Sequence, residues 1–216
     1  FLKESKQTYW QILPLTTTCF GDSPYQSFSA IAGNTHFIDF EELEQNGYLE
    51  KSDYQGISFG NNPESVDYAL IFKERRPILE KAVSTFLKKP EGLKALAQFE
   101  ERVSWVKDFA EFMAIKEHFG NKALQEWDDE SISKRDEKAL EIYRERLSDQ
   151  INYHKVCQYF FFEQWAALKA YANKNGIDII GDMPIYVSAD SVEVWTMPEL
   201  FKVDSHKKPL YIAGVP

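Results

Sequence analysis

Asn175-Gly176-Ile177-Asp178-Ile179-Ile180-Gly181 decides the fold class. Asn-Gly stops a helix, because glycine readily adopts the left-handed conformation that ends one. The apolar run that follows is too short for a helix and rich in β-branched residues, so residues 177–181 read as a buried strand. A long helical pattern, residues 132–173, precedes it. A helix, glycine, strand order is an α/β unit, and strands joined through helices lie parallel. A second such run stands near the other end of the chain: Tyr9-Trp10-Gln11-Ile12-Leu13-Pro14-Leu15, aromatic and apolar, broken off at its proline. About 150 residues separate the two runs, whereas a plain crossover needs about a dozen. The excess is expected to form an inserted, mostly helical subdomain.

Within that interval the helical pattern recurs. Residues 65–87 set Tyr68, Ile71, Phe72, Leu79, Val83 and Phe86 on one face, and Pro77 is expected to kink or split the helix. Residues 93–119 repeat the pattern with Trp105, Phe109, Phe112 and Met113 as the apolar stripe and Gly120 as a C-cap. The stretch 132–173 is charge-laced in its first half. Its second half carries Tyr159, Phe160, Phe161, Phe162 and Trp165, a passage from surface to core. Residues 37–43 begin a helix or a short strand closed by the turn Asn46-Gly47, and residues 53–62 are a polar connection.

Composition bounds the function. With 216 residues, 44% hydrophobic and 15% aromatic, the chain has ample apolar surface for a core and is not disordered. No run of about 18 apolar residues is present to span a membrane. The balance of 25 Lys and Arg against 34 Asp and Glu gives −9 without basic clusters, which argues against nucleic acid and anionic membranes as partners. Cys19 and Cys157 have no CxxC spacing, so a reducing, cytoplasmic compartment is expected. His36, His118, His154 and His206 are scattered. No metal-ligand spacing, P-loop, GxGxxG or nucleophile elbow occurs, and neither metal nor cofactor is expected. The chain opens on Phe1 with no signal peptide, as a fragment would.

In parallel α/β folds ligands bind beyond the carboxyl ends of the strands. That singles out two loops, Gly21-Asp22-Ser23-Pro24-Tyr25-Gln26-Ser27 and Gly181-Asp182-Met183-Pro184-Ile185-Tyr186. Each offers a carboxylate with aromatics and small polar groups, a set that suits a sugar: hydroxyls bind Asp, Ser and Gln, and C–H faces pack on rings. Asp-Ser-Pro is equally a common turn former. Asp182, directly after an apolar strand, must be solvated, paired or at work. Asp190, Glu193 and Asp204 lie near Trp195 and invite comparison with the paired carboxylates of glycoside hydrolysis. Asp190-Ser191-Val192-Glu193 reads more simply as a helix N-terminus.

These loops resemble those of the 4-α-glucanotransferase (amylomaltase, disproportionating enzyme) family. The resemblance rests on Trp10-Gln11-Ile12-Leu13-Pro14-Leu15, residues 21–29 with Ala32-Gly33-Asn34, residues 110–127 (AEFMAIKEHFGNKALQEW), residues 181–195 (GDMPIYVSADSVEVW), Pro198-Glu199-Leu200-Phe201 and Ala213-Gly214-Val215-Pro216. It covers the chain from end to end, in family order. It implies an α/β fold that is part of a (β/α)8 TIM barrel, the two strands being its second and third. Residues 1–52 and 151–216 would be barrel segments, and 53–150 the inserted helical subdomain. It implies a retaining transferase of glycogen or starch metabolism. Such an enzyme holds a covalent sugar intermediate on an Asp and passes α-1,4-glucan segments between maltooligosaccharides, with glucose as an acceptor. A glucan hydrolase of the same barrel type and a non-catalytic glucan-binding module are the alternatives. Asp182 matches the family's third-strand Asp, which hydrogen-bonds the sugar where the bond breaks. Ser23 and Tyr25 match loop residues that contact the glucan there. Phe20 stands where some members place a Tyr at a remote glucan site, with the ring kept and the hydroxyl lost. The family's nucleophile, acid/base and third carboxylate lie on later strands, so no catalytic residue is expected in this chain before Pro216.

Overall fold

Two three-residue strands carry the α/β character. The structure, a computed structural model, describes residues 1–18 and 20–211, with only the backbone of Phe20. Strands β1 (Tyr9–Gln11) and β2 (Asp178–Ile180) pair in parallel, with Tyr9 opposite Asp178, Trp10 opposite Ile179 and Gln11 opposite Ile180. The ladder runs on at both ends, where Asp178 N donates to Thr8 O and Ile12 N to Ile180 O at 2.8 and 3.0 Å. Between the strands run α1 (Phe40–Gln45), α2 (Tyr68–Leu87), α3 (Pro90–Arg102), α4 (Trp105–His118), α5 (Glu130–Ser133), α6 (Glu137–Arg146) and α7 (Ser148–Lys174). Helix α8 (Val192–Thr196) follows β2.

The parallel pairing agrees with the sequence reading, but other expectations do not hold. The strands are not buried runs: both show an exposed, half-buried, exposed pattern. Each has a single ladder partner among the described residues, and a two-stranded sheet has no interior strand to bury. Residues 93–119 form two helices, with Val103 leaving the helical region at ψ 78°. Residues 132–173 form parts of three. Arg135 turns left-handed at φ 61°, and Asp136 then accepts from Lys138 N and Ala139 N to cap α6. Capping aspartates compete locally with helix continuation and restart it in a new direction. Pro77, by contrast, lies inside an unbroken 20-residue α2. Only the later turns of that helix are buried, through Ile78, Leu79, Ala82, Val83 and Phe86, while Tyr68 and Phe72 are exposed.

The chain divides into two compact units. The first comprises Phe1–Ile12, Gly33–Ser104 and Lys155–Gly181. Its core is aromatic, as the second half of α7 suggested. Fully buried Phe86 meets Phe160 edge-on at 5.3 Å between ring centroids and Tyr159 at 5.1 Å, and Tyr48 stacks on Phe160 at 5.4 Å. Such offset and T-shaped pairs contribute about 0.5–1.5 kcal/mol each beyond burial. Gly33 is seated against this core. Its N–H donates to Gln158 Oε1 and its carbonyl accepts from Gln158 Nε2, at 2.8 and 2.9 Å, and a Cβ there would lie 2.0 Å from the Phe161 ring.

The second unit comprises Leu13–Ala32, Trp105–His154 and Asp182–Pro216. Its core gathers Phe109, Phe112 and Ile115 of α4, Leu140 and Tyr143 of α6, and Val194 and Trp195 of α8. A hairpin held by the Val203–Pro209 bridge closes on it and buries Lys207, whose ammonium donates to the carbonyls of Ser133 and Trp195. Burial, with the Arg135 charge second, pulls the Lys207 pKa down to about 8 from 10.5. The folded state therefore binds fewer protons than the unfolded chain between these values, and stability is expected to rise as pH increases from about 8 to 10.5. Denaturant unfolding of the parent protein and of Lys207→Met across that window checks this. The difference in unfolding free energy should climb with pH, and a flat difference would refute it.

No helix among the described residues is long and apolar enough to cross a membrane.

Candidate functional site

Two loops that follow the strands in sequence meet within the second unit. In the first, Gly21 has φ 74° and Asp22 φ 53°, so the chain turns left-handed twice before Ser23. A Cβ at Gly21 would meet nothing within 4 Å, so glycine is favoured there by its backbone and not by space. The turn itself is Ser23-Pro24-Tyr25-Gln26: Gln26 N donates to Ser23 O at 3.1 Å, with proline at the second position, where its fixed φ fits. Ser23 Oγ also accepts from Tyr25 N at 3.3 Å. The turn-forming reading of Asp-Ser-Pro is thus correct in kind but shifted by one residue, since Ser23 opens the turn and Asp22 does not.

This turn projects the Tyr25 ring, 45% exposed, toward the second loop. Its hydroxyl donates to Asp182 Oδ2 at 2.7 Å across 157 residues of sequence. That bond, then burial and the carboxylate's charge, holds the phenol above its usual pKa, so Tyr25 stays a donor throughout the physiological range. Asp182 is exposed, and its Oδ1 has no protein partner among the described residues. An ionised carboxylate accepts only, so this oxygen can take a ligand hydroxyl. Beside it Met183, Ile185 and Tyr186 are exposed while Pro184 is buried, leaving apolar surface next to the acid. The structure therefore brings Ser23, Tyr25 and Asp182 into neighbouring loops, with a direct Tyr25–Asp182 contact. The side chain of Phe20 and all of Cys19 lie outside the described residues, as does Ala213-Gly214-Val215-Pro216.

The other acids have separate employment. Ser191, not Asp190, caps α8 by accepting from Val194 N. Asp190 accepts from Leu124 N at 2.9 Å and from the ammonium of Lys116, which is 3% exposed and also donates to the carbonyls of Asn121 and Lys122. A buried ammonium with three oxygen partners is a satisfied structural group. Asp204 Oδ1 accepts from His206 N and Lys208 N, both at 2.9 Å, and the backbone bond from Lys208 leads in holding its carboxyl below the usual range. Glu193 turns back onto the Ser23 loop. None of these three is placed as the partner carboxylate that glycoside chemistry needs. Among the described residues, no three His, Cys, Asp or Glu side chains gather as metal ligands.

Sequence reasoning did not find the Lys116–Asp190 pair or the role of Glu193. The only local signal was the i, i+2 spacing of Ser27 and Ser29, which lets the Ser27 hydroxyl bond the backbone two residues on.

Comparison with known proteins bears on this geometry. A family model described as 4-alpha-glucanotransferase (Glyco_hydro_77) matches residues 1–216. The 4-alpha-glucanotransferase of Streptococcus pneumoniae serotype 4 is 55% identical over 217 residues, spanning all of this chain and 43% of that protein. The 4-alpha-glucanotransferase of Thermus thermophilus is 45% identical over 219 residues, again 43% of its length. Among solved structures, amylomaltase from Streptococcus agalactiae in complex with acarbose superposes with a TM-score of 0.98 at 67% identity, covering all of this chain and 43% of that one. Amylomaltase from Corynebacterium glutamicum gives 0.63 at 16% identity over 89% of this chain and 27% of that chain, a likeness of fold alone. The chain thus spans less than half the length of the relatives it matches.

Proposed function

We propose, because this chain belongs to the 4-alpha-glucanotransferase family, that the full-length protein moves α-1,4-glucan segments between maltooligosaccharides. The observation that carries the reading is the Tyr25–Asp182 contact, which joins the two loops that chemistry and strand position single out. Asp182 Oδ1 accepts from a hydroxyl of the sugar at the scissile bond. Tyr25 orients that carboxylate and lends its ring edge to the sugar, and Ser23 lines the same turn. The reacting carboxylates belong to later strands of the family's barrel. There the retaining route applies: one carboxylate attacks the anomeric carbon while an acid protonates the leaving oxygen, and the acceptor's 4-hydroxyl then displaces the enzyme.

We read β1 and β2 as the second and third strands of that (β/α)8 barrel, since they are parallel neighbours whose following loops carry the sugar contacts. Among the described residues, five α-helices, α2 to α6, lie within residues 53–150, beyond the single helix that a βαβ unit needs, which supports taking residues 53–150 as an insertion between barrel segments 1–52 and 151–216. Two cysteines without CxxC spacing fit a cytoplasmic enzyme.

Maltotriose incubated with the full-length protein is expected to give glucose and a ladder of longer maltooligosaccharides. Glucose and maltose with nothing longer would make it a hydrolase. Binding without any product would make it a glucan-binding module.

A further inference from the structure

The loop that carries Ser23 and Tyr25 is stitched from beneath by hydroxyls that water does not reach. Ser27 and Ser29 are 2% and 0% exposed. The Ser29 hydroxyl accepts from Ile31 N at 3.3 Å and Ala32 N at 3.2 Å, so its proton is free for one acceptor, and it goes to Glu193 Oε1 at 2.9 Å. The same oxygen accepts from Ala30 N at 2.8 Å. Ser27 Oγ donates to Ser29 O at 2.6 Å and accepts from Ser29 N at 3.2 Å. Its proton being used, the 2.9 Å contact between Thr17 Oγ1 and Ser27 Oγ has Thr17 as donor. Next in the chain, Thr16 Oγ1 donates to Pro24 O at 3.1 Å, the residue between Ser23 and Tyr25. A further backbone bond, Val192 N to Phe28 O at 2.9 Å, ties the start of α8 to the same segment.

The bonds form two runs: Thr17 donates to Ser27, which ends on the Ser29 carbonyl, and the N–H groups of Ile31 and Ala32 donate to the Ser29 hydroxyl, which with Ala30 N ends on Glu193, the terminal acceptor of that second run. Removing that acceptor strands the fully buried Ser29 hydroxyl and takes the side-chain partner from the half-buried Ala30 N–H. We propose that Glu193 is a positioning residue for the glucan site, acting through Ser29 and the backbone of residues 29–32 to hold the Ser23–Tyr25 turn in its binding conformation. This rests on the functional reading above and deepens it. Glu193 does not touch the sugar. Its effect is on the cost of ordering the loop when glucan binds. A loop loosened in the free protein must be ordered at the moment of binding, which weakens ground state and transition state alike.

The test uses the full-length protein and two independent readouts. Glu193→Ala is expected to speed backbone amide exchange of Ala30 and Ala32 by about tenfold or more while α4 amides keep their protection. It is also expected to raise KM for maltotriose on the order of tenfold with kcat within about threefold. Glu193→Gln keeps a side-chain oxygen in reach of both donors and should restore both readouts. Unchanged exchange in residues 29–32, an unchanged KM, or a Gln variant no better than Ala would each overturn the proposal. If Glu193→Ala also exposes α4, Ser29→Ala carries the KM arm of the test, because it removes the hydroxyl link to Glu193 and spares the Ala30 bond; Ala32 exchange is not read there, since Ser29 is its own acceptor. A parent protein with no transferase activity defeats the functional reading, whereas the exchange measurements still decide whether Glu193 holds the loop.

Discussion

In the full-length protein, Asp182→Asn is expected to lower kcat for maltotriose disproportionation by about 10²-fold or more. Asparagine is nearly isosteric, and its amide oxygen can still accept the Tyr25 hydroxyl that Asp182 now takes at 2.7 Å. The side chain is exposed, so folding stability should hardly change. What is lost is the charge on the oxygen that, in the proposed complex, accepts a sugar hydroxyl. A charge-assisted hydrogen bond to a sugar hydroxyl is about twice as strong as a neutral one. It strengthens further as positive charge builds at the anomeric carbon, so the loss falls on the transition state more than on binding. Equal kcat for parent and variant, at equal melting temperature, would remove Asp182 from the site. A purely KM-borne effect would demote it to a ground-state contact.

Trp195→Ala is expected to destabilise the protein by about 3–5 kcal/mol, at the upper end of that range. Trp195 is fully buried, with Phe112 and Trp127 rings at 5.8 and 6.0 Å and the Arg135 guanidinium 4.3 Å from its ring centroid. Its indole N–H donates to Ile132 O at 3.0 Å. Truncation leaves a cavity, an unpaired carbonyl and a guanidinium without its aromatic face, three costs at one position. Trp195→Phe keeps most of the packing and loses the N–H bond, so about 1–2 kcal/mol is expected for it. Urea midpoints at constant m-value measure both. A loss below about 1 kcal/mol for the alanine variant would show that the second unit is not centred on this residue.

Much of this architecture follows from local chemistry. Asn175-Gly176 before an apolar run marks a helix end and a strand start, and Gly176 does take φ 76° ahead of β2. Gly120 ends α4 in the same way at φ 67°. The parallel pairing follows because only a long crossover links the two runs. Asp182 stands out for a similar reason, since a carboxylate just after a strand must be solvated, paired or at work, and the Tyr25 hydroxyl pairs with it. A non-helical Val103 in residues 93–119, and the Asp136 cap and Leu147 in residues 132–173, on the other hand, cut these patterns into more helices than periodicity alone suggests. A three-residue interruption barely alters a hydrophobic period.

Local sequence settles the α/β class, the helical excess between two parallel strands, and the two loops that follow them. These depend on propensities and periods that act over a few residues. Which polar groups find one another depends on the packed fold. Ser29 and Glu193 are 164 residues apart, and Lys116 and Asp190 are 74 apart. Nothing in either local pattern names the partner. The physical reason is desolvation: once a hydroxyl or ammonium is buried, its free energy is set by whatever acceptor the fold carries within 3 Å, and that is a property of the packed chain.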